Sequence, residues 1–373
     1  MIYLDHAATS LLKPQSVEYA VTRALRAMAS PGRGGHAPAM LAADTVYRCR
    51  ERAAELFHVS EPDRVVFTMN ATHALNLAVR SLARRGKRVT ISGFEHNSVT
   101  RPLRAMGAEL RVAGRRLFDP EDTLKNFNRL LPGSDFAVCT VISNVFGYVL
   151  PVKEIAAMCK RAGVPLILDA SQAAGVLDLD FGRLEPAFAA MPGHKGLMGP
   201  QGTGILICGQ RAEPLLYGGS GSESREQNMP DYLPDRLEAG THNVCGIAGL
   251  LAGIEYVLER GTDDILRHER LLLKQCEESL AETSYELFCG ETEQQSGVIS
   301  LRHPDMDAED LAACLGERGI CVRAGLHCAP LAHESAGTLE TGTVRLSFSP
   351  LLSSRQLDIA CTVLRDLDQR GLS

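Results

Sequence analysis

Residues 164–175 read VPLILDASQAAG. An apolar run ends in Asp169, and Gln172 stands three residues on. A short continuous apolar run bounded by polar residues fits a strand buried on both faces, as in a parallel sheet. An acid at the carboxyl end of such a strand sits where open α/β sheets bind ligands. Asp169 is therefore read either as a helix N-cap or as a site residue, the partner of a pyridinium nitrogen.

Six further runs extend the pattern: RVVFTMN (64–70), KRVTISG (87–93), AELRVAG (108–114), DFAVCTVISN (135–144), AFAAMPGHK (187–195) and GTGILIC (202–208). Helix-like segments lie between the earlier ones, THALNLAVRSLARRG (72–86), NSVTRPLRAMG (97–107), PEDTLKNFNRLL (120–131) and VKEIAAMCKRAG (152–163). The alternation predicts an α/β fold, a mostly parallel seven-stranded sheet sandwiched by helices. Residues 210–242 are rich in Gly, Ser, Glu and Pro and read as one long loop, a kind that is seldom kept without a use. After a helical stretch (244–282), YELFCG, SGVISLR, ICVRAG and TVRLSFS are short strands, with DAEDLAACLGERG and a C-terminal helix interleaved. They predict a smaller α+β domain. The polar segment HESAGTLETGT (333–343) is expected to be mobile.

Bulk properties narrow the function. The chain has 373 residues, a net charge of −6 and 45% hydrophobic residues. A full core can form, and there is no basic footprint for nucleic acid. The apolar runs are strand-sized, too short for a membrane span, and MIYLDHAATS has no secretory pattern. Eleven cysteines are scattered singly. They predict reduced thiols in the cytoplasm and no zinc site, since close Cys or His pairs are missing.

Several strand ends carry chemistry. In MPGHKGLMGPQGTGILI (191–207), Lys195 follows a strand and precedes a glycine-rich turn. It is either a solvated hairpin residue or a Schiff-base lysine, with glycines letting the backbone approach a cofactor. VVFTMNATHALNLAV (65–79) puts Ala71 and Thr72 at a helix start suited to phosphate. His96 in SGFEHNSVT (92–100) and Asn144 in SNVFG (143–147) take the same placement. His96 is a cap, or a ring that stacks on a flat cofactor and moves a proton. In VRAGLHCAP (322–330), Cys328 reads as a thiol on a loop tip. Alone it would be an inert cysteine; among these motifs it is a reactive one.

These motifs in this order, from YLDHAATS (3–10) through FEH, SNVFG, LDASQ, GHKGLMGPQGTG, RLEAGTHN (236–243) and RAGLHCA (323–329) to VRLSFS (344–349), resemble one family. It is the fold-type I, pyridoxal 5'-phosphate-dependent class V aminotransferases, and within them the cysteine desulfurase and selenocysteine lyase group, Suf-type branch. The likeness implies a large cofactor domain at 13–255 and a small α+β domain of 1–12 with 256–373. It implies that Lys195 holds the cofactor, Asp169 pairs with the ring nitrogen and Gln172 contacts the ring hydroxyl. His96 would stack on the ring. Ala71, Thr72 and His194 would hold the phosphate, with Thr241 supplied by the second subunit of a homodimer. Asn144, Arg323 and Arg345 would bind substrate, Arg345 through a bidentate pair with its carboxylate.

The implied reaction converts L-cysteine to L-alanine. Sulfur passes to Cys328 as a persulfide for an acceptor protein; His327 or a nearby cation could favour the thiolate, and His327 reads equally as a loop packing residue. The alternatives are selenocysteine lyase, acting on L-selenocysteine, and another class V chemistry, transamination or epimerisation. Two positions depart from the pattern. Pro192 stands where a phosphate-binding serine is common, and His6 where an asparagine is common.

Overall fold

The computed structural model describes residues 1–32, 34–83 and 87–370; the last residues of the segment 72–86 lie outside them. The chain begins with β1 (Ile2–Tyr3), α1 (Gln15–Ala27) and α2 (Ala37–Leu56). The apolar runs then become strands separated by helices: β2 (Val65–Thr68), α3 (Ala71–Leu82), β3 (Arg88–Ser92), α4 (Asn97–Ala105), β4 (Glu109–Ala113) and α5 (Pro120–Leu130). There follow β5 (Phe136–Thr140), α6 (Val152–Ala162), β6 (Leu166–Asp169), the short α7 (Phe181–Leu184), β7 (Phe188–Pro192) and β8 (Gly204–Cys208).

These strands form one seven-stranded sheet in the order β2-β8-β7-β6-β5-β3-β4. It is mostly parallel, as expected; β8 alone runs against its neighbours β2 and β7. The reason lies in the connection. Residues 193–203 are a glycine-rich turn without a helix, too short for the crossover that parallel pairing needs. Strand β5 is buried throughout, as are β2, β6, β7 and β8, because apolar clusters cover both faces of the sheet. One holds Phe94, Phe146 and Ile155, the other Leu75, Val99 and Phe188. Strand β4 lies outside β3, whereas β5 pairs on the other side of β3. The strand order therefore reverses between β3 and β5, which opens a crevice at their carboxyl ends.

No strand or helix interrupts 209–243 among the described residues, so the expected loop is found. Next come α8 (Val244–Arg260), which packs on α1 and α2, and α9 (Thr262–Leu280). The C-terminal part contributes β9 (Glu286–Phe288), β10 (Val298–Arg302), α10 (Ala308–Glu317), β11 (Ile320–Cys321), β12 (Arg323–Gly325), α11 (Pro330–Ala336), β13 (Thr343–Ser347) and α12 (Ser354–Arg370). A four-stranded antiparallel sheet, β12-β13-β10-β9, has its own core, which includes Leu272, Leu311, Leu346 and Leu364. The N-terminus joins this part: β1 pairs with β11, and Leu4 lies in the same core.

The segment 333–343 is not the mobile tail its polarity suggested. Residues Pro330–Ala336 form α11, capped by Gly337 at φ +70°. His333 and Thr338 are buried, and the histidine Nδ1 lies 2.7 Å from the threonine hydroxyl. The bond satisfies one side of the ring, while Nε2 is buried without a partner among the described residues. All eleven cysteines are free thiols, and no helix among the described residues is long and apolar enough to cross a membrane.

Candidate active site

The strand ends converge on one cavity of about 190 Å3, walled by Lys195, Asp169, His96 and Arg345 among others. Ala71, Thr72, Asn144, Gln172, His194 and Arg323 also line it. Cys328 and Thr241 do not. Cys328 is exposed, directly after the lining residue His327. Thr241 is exposed and lines a different cavity, beside His242 and Asn243.

Local structure explains each placement. Asp169 closes β6, and its Oδ1 accepts hydrogen bonds from the Ser171 amide, at 3.0 Å, and from the Ser171 hydroxyl. This is the turn that aspartate favours, and it fixes the carboxylate at the cavity wall while leaving it buried. Lys195 follows β7 in the tight glycine turn. The glycines do not make room for a ligand. A Cβ on Gly196 would stand 2.4 Å from the Ala174 carbonyl, and one on Gly193 would stand 2.1 Å from the Thr203 hydroxyl. They let protein pack against protein and so lock the lysine backbone. Burial of the ammonium, only partly offset by Asp169, pulls the Lys195 pKa down to about 8.

His96 caps α4: its Nδ1 accepts the Ser98 amide N–H at 3.0 Å. The neutral ring therefore carries its proton on Nε2. Burial holds its pKa at about 4. At α3 the cap is Asn70, whose side chain takes the His73 amide at 2.9 Å. The amides of Ala71 and Thr72, at the helix start, have no intrahelical partners. His194 is likewise neutral, pushed to about 4 by burial and by Lys195, with Nδ1 3.0 Å from the Thr9 hydroxyl. Gln172 spends one amide N–H on the Ala7 carbonyl at 3.0 Å.

The substrate end departs from expectation. Arg345 is buried and already engaged. Its Nη2 pairs with Asp5, its Nη1 donates to the Asn144 carbonyl at 2.9 Å, and its Nε has no partner. Sequence reasoning missed Asp5 because its partner lies 340 residues away; the signal was that a buried arginine needs a carboxylate. Ser98 was also missed.

The cysteine loop is held tightly. His327 and Cys328 both have left-handed backbones, at φ +50° and +57°, which costs non-glycine residues energy. Three contacts hold them there. Asn144 Nδ2 donates to the His327 carbonyl at 2.9 Å, the Asn97 amide donates to the Cys328 carbonyl at 2.8 Å, and His327 Nε2 stands 3.2 Å from the Arg323 carbonyl. That carbonyl can only accept, so His327 holds its proton on Nε2 and leaves Nδ1 bare. Burial and the nearby Arg345 push its pKa down to about 2. His327 is thus a neutral packing residue, not a cation that favours a thiolate.

His6 is buried against Tyr3, with ring centroids 4.8 Å apart and perpendicular, and neither ring nitrogen finds a partner. Pro192, at the cavity wall, offers neither a hydroxyl nor an N–H.

A probable cysteine desulfurase of Methanothermobacter thermautotrophicus is 32% identical over 99% of this chain and 95% of its own. A cysteine desulfurase of Yersinia pseudotuberculosis is 31% identical over 88% of this chain and 84% of its own. The solved apo structure of a cysteine desulfurase from Thermococcus onnurineus superposes with a TM-score of 0.91 at 30% identity, covering 99% of this chain and 94% of that one. The fold is accordingly that of the fold-type I enzymes. The Aminotransferase class-V family matches residues 2–359, and the chain belongs to it.

Proposed function

We propose that this protein is a pyridoxal 5'-phosphate-dependent cysteine desulfurase that converts L-cysteine to L-alanine and takes the sulfur onto Cys328 as a persulfide. The observation that carries this reading is the pairing of two features. A half-buried lysine and a buried carboxylate share a cavity, and an exposed thiol sits on a strained turn directly beside it.

The donor set fits the cofactor. Lys195 supplies an amine, Asp169 a carboxylate for a ring nitrogen, and His96 a flat ring. The free amides of Ala71 and Thr72, with the Thr72 hydroxyl and His194, supply an anion end. When bound, the cofactor supplies an electron sink for a carbanion at the substrate Cα. The protein does the rest. The pKa of Lys195, lowered to about 8, leaves a usable fraction of free amine near neutrality. Its Nζ can take the Cα proton, while His96 holds a proton ready on Nε2. Arg345, Asn144 and Arg323 orient the carboxylate. The Cys328 thiolate attacks the substrate sulfur. The S–S bond forms as the Cβ–S bond breaks, and Cβ keeps that electron pair and is protonated to the alanine methyl.

The reading includes a homodimer, in which the exposed Thr241 reaches the partner's site, an acceptor protein for the sulfur, and the cytoplasm as location. It also divides the chain into 13–255 and 1–12 with 256–373. The separate core of the C-terminal sheet and the presence of Leu4 in it support this division, while α8 runs across the boundary to Arg260.

The test uses the purified holoenzyme with L-cysteine and a reductant, alongside Cys328→Ala and L-selenocysteine. Equal sulfide and alanine, lost in Cys328→Ala, is the expected result. Turnover of selenocysteine alone, surviving in Cys328→Ala, would make the protein a selenocysteine lyase. A cofactor-loaded protein yielding no alanine from either would move the reading to transamination or epimerisation.

A further inference from the structure

The anion end of the cavity lacks a donor at Pro192, and another side chain stands ready to replace it. Ser98 lines the cavity from the start of α4, its hydroxyl 2.8 Å from that of Thr72 at the start of α3. The two helix starts meet through these oxygens. We propose that Ser98 is a cofactor-binding residue whose hydroxyl grips the phosphate beside Thr72, and that this grip is coupled to His96. The proposal rests on the reading of the cavity as a pyridoxal phosphate site.

Donor counting supports it. The first amides of α4 are spent: that of Asn97 goes to the Cys328 carbonyl and that of Ser98 to His96 Nδ1. Among the described residues of α4, Ser98 is the one that lines the cavity, so its hydroxyl is the donor this helix start offers an anion there. That hydroxyl also lies 3.0 Å from His96 Nδ1. Since Nδ1 bears a lone pair, a chain runs from the Thr72 O–H to Ser98 Oγ, and from the Ser98 O–H to His96 Nδ1. Hydroxyl protons rotate to suit their partners. A dianion at the start of α3 would draw both protons to itself, because charge-assisted bonds are the stronger ones. His96 Nδ1 would then keep only the Ser98 amide. Occupancy of the phosphate end thus changes the hydrogen bonding of the ring that handles the proton.

The test measures binding, not turnover. Apoprotein is prepared by removing the cofactor, and dissociation constants are determined for pyridoxal phosphate and for pyridoxal, which lacks the phosphate. In Ser98→Ala the former should weaken by about tenfold to a hundredfold, the worth of one hydrogen bond to a charged group. The latter should not change, and Ser98→Thr, which keeps the hydroxyl, should restore the difference. The His96 ring resonances should shift when inorganic phosphate is added to the wild-type apoprotein, and less in Ser98→Ala. If the wild type binds both forms equally, the cofactor reading itself fails. If the wild type prefers the phosphate form and Ser98→Ala preserves that preference in full, only the role of Ser98 is overturned. Equal weakening of both forms in a folded variant would likewise reduce Ser98 to a structural part.

Discussion

Glu269 is a buried acid for which no hydrogen bond is found among the described residues, and it lines a narrow cavity that also touches Lys195 and His6. Burial, offset only in part by Arg260, pushes its pKa up to about 8. The sign of the linkage follows. Below an unfolded pKa of about 4.5 both states hold the proton and there is no penalty. Between there and about 8 the unfolded chain has released it while the folded chain retains it, so stability falls as pH rises, by a total on the order of 5 kcal/mol. Glu269→Gln removes this dependence. Its melting temperature, relative to the wild type, should climb from pH 5 to pH 9, and parallel curves would refute the assignment. At this scale the sequence was legible where a residue's meaning lies in its neighbours along the chain. Asp169 closes an apolar run and Lys195 opens a glycine turn, and both take the expected places. Asp5 escaped notice because its meaning lies in Arg345, across the fold. Arg345, foreseen as a partner of the substrate, already pairs with Asp5.

At the scale of elements, the turn after β7 decides whether the lysine is held. Gly175 has φ +83°, and a Cβ there would stand 2.4 Å from the Gly196 carbonyl. Gly175→Ala should therefore cost about 1–3 kcal/mol, visible in urea unfolding. It should also move the cofactor absorbance, since Gly196 adjoins Lys195. A variant as stable as the wild type would show that the turn yields freely. The alternating strands and helices of 64–208 could be read from periodicity alone. The antiparallel β8 follows from connection length, a feature the sequence also displays. Helix α11 could not be read, because the polar segment 333–343 concealed a buried contact between His333 in the helix and Thr338 just beyond its cap.

For the whole molecule, the distance of Thr241 from its expected role is the informative fact. It lines a cavity other than the one holding Lys195, so the proposed role of Thr241 needs a second copy of the chain. Co-expressed Thr241→Ala and Lys195→Ala chains should form a mixed dimer with one intact site, since the lysine of one subunit and the threonine of the other then meet. Activity in this heterodimer, exceeding that of either parent homodimer, is the expected outcome. A heterodimer no better than its parents would place Thr241 outside the site.

One contact gives the cysteine turn a further meaning. The Cys328 carbonyl takes the amide of Asn97, the residue next to His96. The thiol is exposed while this bond is in place, so a recipient can approach the sulfur without the start of α4 losing its brace, and the side that would take the cargo stays in order while the side that would give it away lies open.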